Sequence, residues 1–226
     1  MTDNVELIIF DCDGVVIDSE IISARVLIQM LSDLGIHIDT HYVQQHFLGC
    51  SFKTVSEKIA SAFGVDLPSQ FESDYRNTLV TMFAEHLQPT AGIKNILLNL
   101  NVPFCIATSS SLLRTQKALH AVGFDSLFKN IFTSEEVALG KPAPDLFLHA
   151  AATMNVSAKN CLVIEDSSAG VQAALSAGMQ VMHYFGGQHL NRGVNHVHIN
   201  FPDVALLDHW QSFFAAFPTL THKSLL

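Results

Sequence analysis

The stretch IIFDCDGVVIDSE, residues 8–20, places two acids directly after an apolar run that is typical of a buried strand. Asp11 and Asp13 stand two positions apart, and the first Lys or Arg of the chain is Arg25. Carboxylates held this close repel each other unless one is protonated or a cation lies between them. Because no neighbouring base can neutralise the pair, a bound divalent ion is the natural explanation, and Mg²⁺ takes oxygen ligands together with substrate phosphate.

Apolar runs bounded by turn residues recur along the chain, at 5–10, 103–107, 130–132, 161–164 and 180–184. They lack polar alternation, which is expected of a parallel sheet covered on both faces. Helical patterns separate them, at 110–121, 144–154 and 168–177, and glycines follow the first and third. This order predicts a doubly wound, Rossmann-like α/β domain whose ligands gather at the carboxyl ends of the strands.

Residues 18–88 interrupt this pattern because they show helical periodicity and no convincing strand. We therefore expect a helical cap over 18–88, inserted into an α/β core made of 1–17 and 89–226. The insertion follows directly after the two acids, so it should cover them as a lid.

Composition excludes several classes of protein. The 226 residues are 49% hydrophobic and 15% charged, which predicts a well-packed globule of one or two domains. A net charge of −9 argues against a nucleic-acid surface, and no uncharged run is apolar enough to predict a membrane span. The N-terminus lacks a basic signal-peptide region, and the four cysteines are scattered, so we expect a cytoplasmic monomer or weak homo-oligomer.

Three further stretches carry candidate chemistry at predicted strand ends. The segment CLVIEDSSAG ends its strand with a second acid pair, Glu165 and Asp166. Hydroxyls follow another strand in FCIATSSS, at Thr108, Ser109 and Ser110, where a helix N-terminus could bind an anion. The segment ALGKPAPD supplies Lys141 between Gly and Pro, where it could pair with phosphate and with a carboxylate.

Together these stretches resemble the four ordered motifs of the haloacid dehalogenase (HAD) superfamily. DCDGVVIDSE is similar to its first motif, Thr108 matches the second, Lys141 the third and EDSSAG the fourth. The helical insertion resembles the cap of the β-phosphoglucomutase-like phosphatases. The resemblance implies a phosphatase of small phosphorylated metabolites, with sugar phosphates and phosphorylated sugar acids such as 6-phosphogluconate as the expected substrates.

The resemblance also implies roles for the residues. Asp11 would be the nucleophile that forms an aspartyl-phosphate, and Asp13 the general acid and base. Mg²⁺ would be held by the Asp11 carboxylate, the Asp13 carbonyl and Asp166, with Glu165 binding it directly or supporting the direct ligands. Stabilising the transferred phosphoryl group would fall to Thr108 and Lys141, with Ser109 and Ser110 beside it.

An acid at position 13 favours phosphate-ester hydrolysis or phosphomutation, because both need a proton on the leaving oxygen. In the β-phosphoglucomutases a cap His and a cap Arg serve the mutase reaction, whereas this chain has Ser23 and Phe52 at the matching positions. A phosphatase is therefore favoured, a sugar phosphomutase is the alternative, and an inert ligand-binding module is a remote third.

Outside the motifs the sequence offers weaker candidates. Arg76 and, less strongly, Lys53 could bind an anionic group of the substrate from the cap, although a surface helix charge explains either one. We interpret NHVHIN as a short strand with alternately exposed His196 and His198 rather than as a soft-metal site. Cys12 should point away from the neighbouring acids into apolar packing.

Overall fold

The computed structural model describes residues 4–47, 52–187 and 196–222. Within these ranges one six-stranded sheet forms the centre of the molecule, and all its neighbouring strands are parallel. Its strands are β1 (Leu7–Phe10), β2 (Phe104–Thr108), β3 (Ile131–Thr133), β4 (Cys161–Glu165), β5 (Gln180–Tyr184) and β6 (Ala205–Leu207). The spatial order β3-β2-β1-β4-β5-β6 confirms the predicted doubly wound, Rossmann-like fold.

The strand order reverses beside β1, which lies between β2 and β4. Phe10 of β1 is in register with Ile106 of β2 and with Ile164 of β4. The residues that follow these three positions therefore emerge together at one edge of the sheet. In doubly wound sheets this edge, at the point of reversal, is where ligands bind.

The sheet is covered on both faces because its strand residues alternate between two apolar clusters. Ile8 and Phe10 pack on one side with Trp210, and Leu7 and Ile9 pack on the other with residues such as Phe147. All four strand residues of β1 are fully buried. This two-sided burial explains the continuous apolar runs in the sequence.

Ten α-helices lie in the described ranges, and four of them fall between β1 and β2 within the predicted cap. These four are α1 (Glu20–Asp33), α2 (Thr40–His46), α3 (Phe52–Phe63) and α4 (Phe71–His86). The others are α5 (Ile93–Asn99), α6 (Leu112–Ala121), α7 (Asp145–Thr153), α8 (Ser168–Ser176), α9 (His196–Asn200) and α10 (Phe213–Ala216). None of the helices in the described parts is both long and apolar enough to cross a bilayer.

Helices α1 to α4 have an apolar cluster of their own, which includes Leu31, Ile59 and Phe71. Other residues of α1 and α4, among them Val26 and Phe83, belong instead to the cluster that contains the sheet residues of β1. Helices α1 and α4 thus join the inserted segment to the α/β core. The division into two domains at 18–88 stays a prediction.

The structure corrects two details of the sequence interpretation. Within the segment NHVHIN, the described residues His196–Asn200 form helix α9 rather than a strand, and Val197 is buried from this helix in the apolar cluster beneath the sheet. The short edge strand β6 was not predicted, since three residues with one half-exposed Leu206 give too little pattern. Cys12 is buried in apolar packing as expected, Cys105 and Cys161 are buried free thiols, and Cys50 lies outside the described residues.

Candidate active site

A tight turn at the end of β1 presents the first acid pair. The amide of Asp11 donates to the carbonyl of Ile164 at 3.0 Å, which extends the sheet by one residue. Gly14 then takes a φ of 81°, a conformation that favours glycine, and the amides of Val16 and Ile17 both donate to the Cys12 carbonyl at 3.0 Å. The chain doubles back so that the carboxylates on either side of Cys12 are held by a rigid backbone.

Lys141 lies at the centre of the site, although it comes from a loop 130 residues away from Asp11. Its ammonium donates to Asp11 at 2.6 Å, to Glu165 at 2.6 Å and to the Ala107 carbonyl at 3.0 Å. The side chain is only 4% exposed, and its ammonium lies 4.8 Å from the centre of the Phe147 ring. The ammonium thus connects the ends of β1, β2 and β4.

The cluster carries an excess of negative charge. Burial raises the pKa of Asp11 well above its usual range, the charges of Glu165 and Asp166 raise it further, and Lys141 opposes them. Burial alone lowers the pKa of Lys141, but attraction to Asp11 and Glu165 outweighs this effect and raises it. The lysine therefore keeps its proton, and one ammonium is left to balance three carboxylates.

Glu165 is fixed on both of its carboxylate oxygens. Oε1 accepts from Lys141, and Oε2 accepts from the amide and the hydroxyl of Ser167, each at 2.9 Å. The carboxylate lies directly over Gly170, where a Cβ atom would come within 1.8 Å of Oε1. Its described partners are protein groups, which favours the interpretation that Glu165 supports the direct metal ligands rather than joining them.

Asp13 has a separate set of partners. Arg114 donates from Nη1 to Oδ2 at 2.6 Å and from Nη2 to Oδ1 at 2.9 Å. The hydroxyls of Ser110, at 2.8 Å, and Ser19 donate to the same carboxylate. Burial alone raises the pKa of Asp13, but the charge and hydrogen bonds of Arg114, with those of the two serines, outweigh it and lower the pKa. Two neighbouring acids thus have proton affinities shifted in opposite directions.

Sequence reasoning missed Arg114, which is 101 residues away from its partner. No Lys or Arg precedes Arg25 in the sequence, so the stretch around Asp13 gives no sign of this partner. A usable signal was present, because Arg114 follows Ser110 by four positions and therefore lies one helical turn beyond the hydroxyl loop. His183 was also missed; its Nε2 lies 3.2 Å from the Asp166 carbonyl oxygen.

The hydroxyl loop, residues 108–111, lies at the end of β2 as predicted, but the helix after it begins later than predicted. Thr108 is buried at the strand end, and its Oγ1 accepts from the Ser110 amide at 3.1 Å. The carbonyl of the exposed Ser109 accepts from Ser134 at 2.9 Å. Helix α6 begins at Leu112 rather than at Ser110, so Ser109 and Ser110 belong to the loop and remain candidates to contact phosphate.

The N-terminus of α6 is partly occupied by protein acceptors. The Leu112 amide donates to Glu135 at 3.1 Å, and the Arg114 amide donates to the Ser111 hydroxyl at 3.4 Å. These bonds satisfy two of the amides that the sequence offered to an anion. Any phosphate in this loop would therefore rely more on side chains than on the helix end.

The acids of the site are suitable ligands for a hard metal ion, although they are not arranged as a complete metal-binding cluster in the described residues. No group of three His, Cys, Asp or Glu side chains in the described ranges is arranged to hold a metal ion. However, Asp11 has one oxygen beyond its bond to Lys141, Asp166 is half-buried beside it, and the site has more carboxylates than cations. This donor set fits Mg²⁺, which is usually bound by one or two carboxylates with water and substrate phosphate as further ligands.

The two cap residues that the sequence offered for substrate binding, Arg76 and Lys53, have their described contacts outside this cluster. Arg76 donates to Glu72 at 2.6 and 3.0 Å, and its side chain is 56% exposed. Lys53 is 87% exposed and lies 4.0 Å from Glu57. Their role in substrate binding stays a prediction.

Comparisons with known proteins agree with this geometry. Residues 8–184 match the family model of haloacid dehalogenase-like hydrolases. A 6-phosphogluconate phosphatase of Escherichia coli is 29% identical, over 85% of this chain and 87% of its own. Two solved structures, a haloacid dehalogenase-like protein of unknown function from Agrobacterium tumefaciens and a HAD family hydrolase from Deinococcus radiodurans with bound phosphate and sodium, superpose with TM-scores of 0.86 and 0.82.

The first of these structures is 30% identical and covers 95% of this chain and 98% of its own, and the second is 26% identical and covers 97% and 99%. The matched family segment begins within β1 and ends with β5, so it includes every strand end that contributes to the site. The chain is thus an enzyme of the haloacid dehalogenase-like hydrolase family.

Proposed function

We propose that the protein hydrolyses a small phosphorylated metabolite, a sugar phosphate or phosphorylated sugar acid, through an aspartyl-phosphate on Asp11. The observation that carries this proposal is the different setting of the two acids. Asp11 is bonded to Lys141, while Asp13, two residues later, is bonded to Arg114, Ser110 and Ser19. Two carboxylates two residues apart, each fixed by its own donors, are the arrangement that a nucleophile and a neighbouring general acid–base require.

In the first half of the reaction, a carboxylate oxygen of Asp11 attacks phosphorus and the bond from phosphorus to the alcohol oxygen breaks. Asp13 gives its proton to that oxygen, so that a neutral alcohol leaves. Asp11 suits the role of nucleophile because Lys141 and the sheet fix its position at the buried strand end.

In the second half, water attacks the phosphorus of the aspartyl-phosphate, and the bond from the Asp11 oxygen to phosphorus breaks. Asp13 takes the proton of the water, which restores both carboxyl groups and releases inorganic phosphate. Asp13 suits this role because Ser110 and Ser19 hold its carboxyl group in place two residues after Asp11.

Lys141, Thr108 and the serines of the hydroxyl loop would surround the transferring phosphoryl group. A charged donor and hydroxyls in a water-poor site stabilise the negative oxygens of the transition state. When bound by the Asp11 carboxylate, the Asp13 carbonyl and Asp166, Mg²⁺ would supply positive charge against the phosphate and the acids. Lys141 alone balances only part of that charge.

The contacts of the cap residues argue against a phosphomutase. Phe52 packs against the rings of Phe71 and Tyr75, with centroids 6.1 and 5.9 Å apart, so this position holds an aromatic cluster rather than a cation. Ser23 uses its carbonyl to accept the Tyr75 hydroxyl at 3.3 Å. Phe52 cannot bind a second phosphate group as a cation would, and Ser23 lacks the imidazole that transfers a proton in a mutase.

The direct test is release of inorganic phosphate from a panel of phosphorylated sugars and sugar acids, with Mg²⁺ and with a chelator. We expect turnover with Mg²⁺ and loss of turnover with the chelator. Incubation of a phosphosugar that yields an isomeric phosphosugar in place of free phosphate would establish the mutase instead. Absence of both products across the panel would overturn the proposal.

A further inference from the structure

Arg114 is positioned on the leaving-group side of the site. It lies in the first turn of α6, after the hydroxyl loop, and its guanidinium donates to both oxygens of Asp13 and to the Ser110 hydroxyl. In the proposed reaction the Asp13 carboxyl must reach the oxygen of the departing alcohol. A guanidinium that touches both Asp13 oxygens therefore also lies next to that alcohol.

The two positively charged residues of the site, Lys141 and Arg114, contact different acids. Lys141 contacts Asp11 and Glu165, where the phosphoryl group is transferred, and has no described contact with Asp13. Arg114 contacts Asp13 and has no described hydrogen bond to Asp11. The two cations thus contact different acids, Lys141 the proposed nucleophile and Arg114 the proposed general acid–base.

Arg114 is also held between the core and the helices that cover it. Its guanidinium carbon lies 5.2 Å from the centre of the Phe83 ring on α4, and its side chain is 18% exposed. A cation over an aromatic face is attracted to the ring, which helps to hold the guanidinium in place while its N–H groups donate to Asp13 and Ser110. Such a group is prepared for a planar partner before the substrate arrives.

We propose that Arg114 recognises a carboxylate on the alcohol portion of the substrate, so that the preferred substrates are phosphate esters of hydroxy acids. This inference rests on the proposed phosphatase function and names its substrate class. The existing pair with Asp13 is the template, since it already shows a carboxylate bound by two parallel N–H donors. Asp13 gives up at least one of these bonds when it turns to the leaving oxygen.

The freed donor edge favours a new anionic acceptor, because a partly buried guanidinium loses binding energy when one of its donors is left unfilled. A carboxylate of the substrate fills it with the geometry that Asp13 had. A neutral sugar hydroxyl can accept only one weaker bond. Arg114 thus binds a phosphorylated acid more strongly than a neutral phosphosugar at the step in which Asp13 moves.

The test compares the wild type with Arg114→Met, Arg114→Lys and a control, Lys117→Met, which removes an exposed cation from the same helix. Phosphate release is measured for three substrates of similar size: a phosphorylated sugar acid, the matching neutral phosphosugar and a sugar bisphosphate. For the sugar acid we expect Arg114→Met to lower kcat/KM about 10- to 100-fold more than for the neutral phosphosugar. Arg114→Lys should restore part of this preference, and Lys117→Met should not change it.

An equal loss for all three substrates would overturn the inference, because it would show that Arg114 only positions Asp13. A loss confined to the bisphosphate would overturn it as well, by assigning the guanidinium to a second phosphate. Unchanged ratios in the Met variant would do the same. Each of these outcomes requires an active wild type, whereas a wild type that releases no phosphate from any substrate defeats the underlying phosphatase proposal.

Discussion

Replacing Gly170 by alanine tests whether Glu165 must occupy its place beneath Lys141. Gly170 is buried in helix α8, and a Cβ atom there would lie 1.8 Å from Oε1 and 1.9 Å from Cδ of Glu165. No pair of unbonded atoms tolerates such a distance, so the carboxylate of the Gly170→Ala variant has to leave its position. Its bonds to Lys141 and Ser167 then break or lengthen.

The size of the effect follows from those bonds. A hydrogen bond to a charged group is worth about 1.5–3 kcal/mol, and Glu165 accepts from the Lys141 ammonium and from two donors of Ser167. Against this loss, alanine is favoured over glycine inside a helix by about 1 kcal/mol. If two of these three bonds are lost, the free energy of unfolding of the variant should fall by about 2–5 kcal/mol.

Urea denaturation followed by circular dichroism measures this change. Gly140→Ala is the matched control, because its Cβ would meet only Ser134 Cβ at an ordinary 3.6 Å. In a Glu165→Ala background the three atoms nearest to that Cβ are absent, so Gly170→Ala should there destabilise the protein less than it does in the wild type. A Gly170→Ala protein as stable as the wild type, or more stable, would refute the reasoning about Glu165.

Three further predictions concern the acids and the metal. Asp11→Asn should abolish phosphate release while the thermal midpoint is retained, since the variant removes a charge whose burial is unfavourable; a variant that still turns over would exclude Asp11 as nucleophile. Asp13→Asn should lower the free energy of unfolding at neutral pH. Because the pKa of Asp13 is lowered in the folded state, its contribution is present above the ordinary carboxyl pKa and is lost as the pH falls through the lowered value. The difference between wild type and variant, measured by urea denaturation, should therefore shrink in acid, and a constant difference would contradict this. Chelator should remove activity and excess Mg²⁺ should restore it, whereas chelator-resistant turnover would refute the metal assignment.

Local patterns in the chain were enough to predict the fold class. Continuous apolar runs with helical segments between them required a parallel sheet covered on both faces, and the observed strand order agrees. The position of Asp11 and Glu165 at strand ends followed from the same runs. Short elements without a clear period were beyond this reasoning, as β6 and α9 show.

The sequence by itself indicated the candidate residues of the site, because acids, hydroxyls and a lysine follow apolar strands in a recognisable order. Only the tertiary structure decided how their charges are paired. Lys141 reaches Asp11 across 130 residues and Arg114 reaches Asp13 across 101, and nothing near either acid in the sequence indicates these partners. The physical reason is that electrostatic pairing depends on distance in space and on exclusion of water, and both arise only when the strand ends meet at one edge of the sheet.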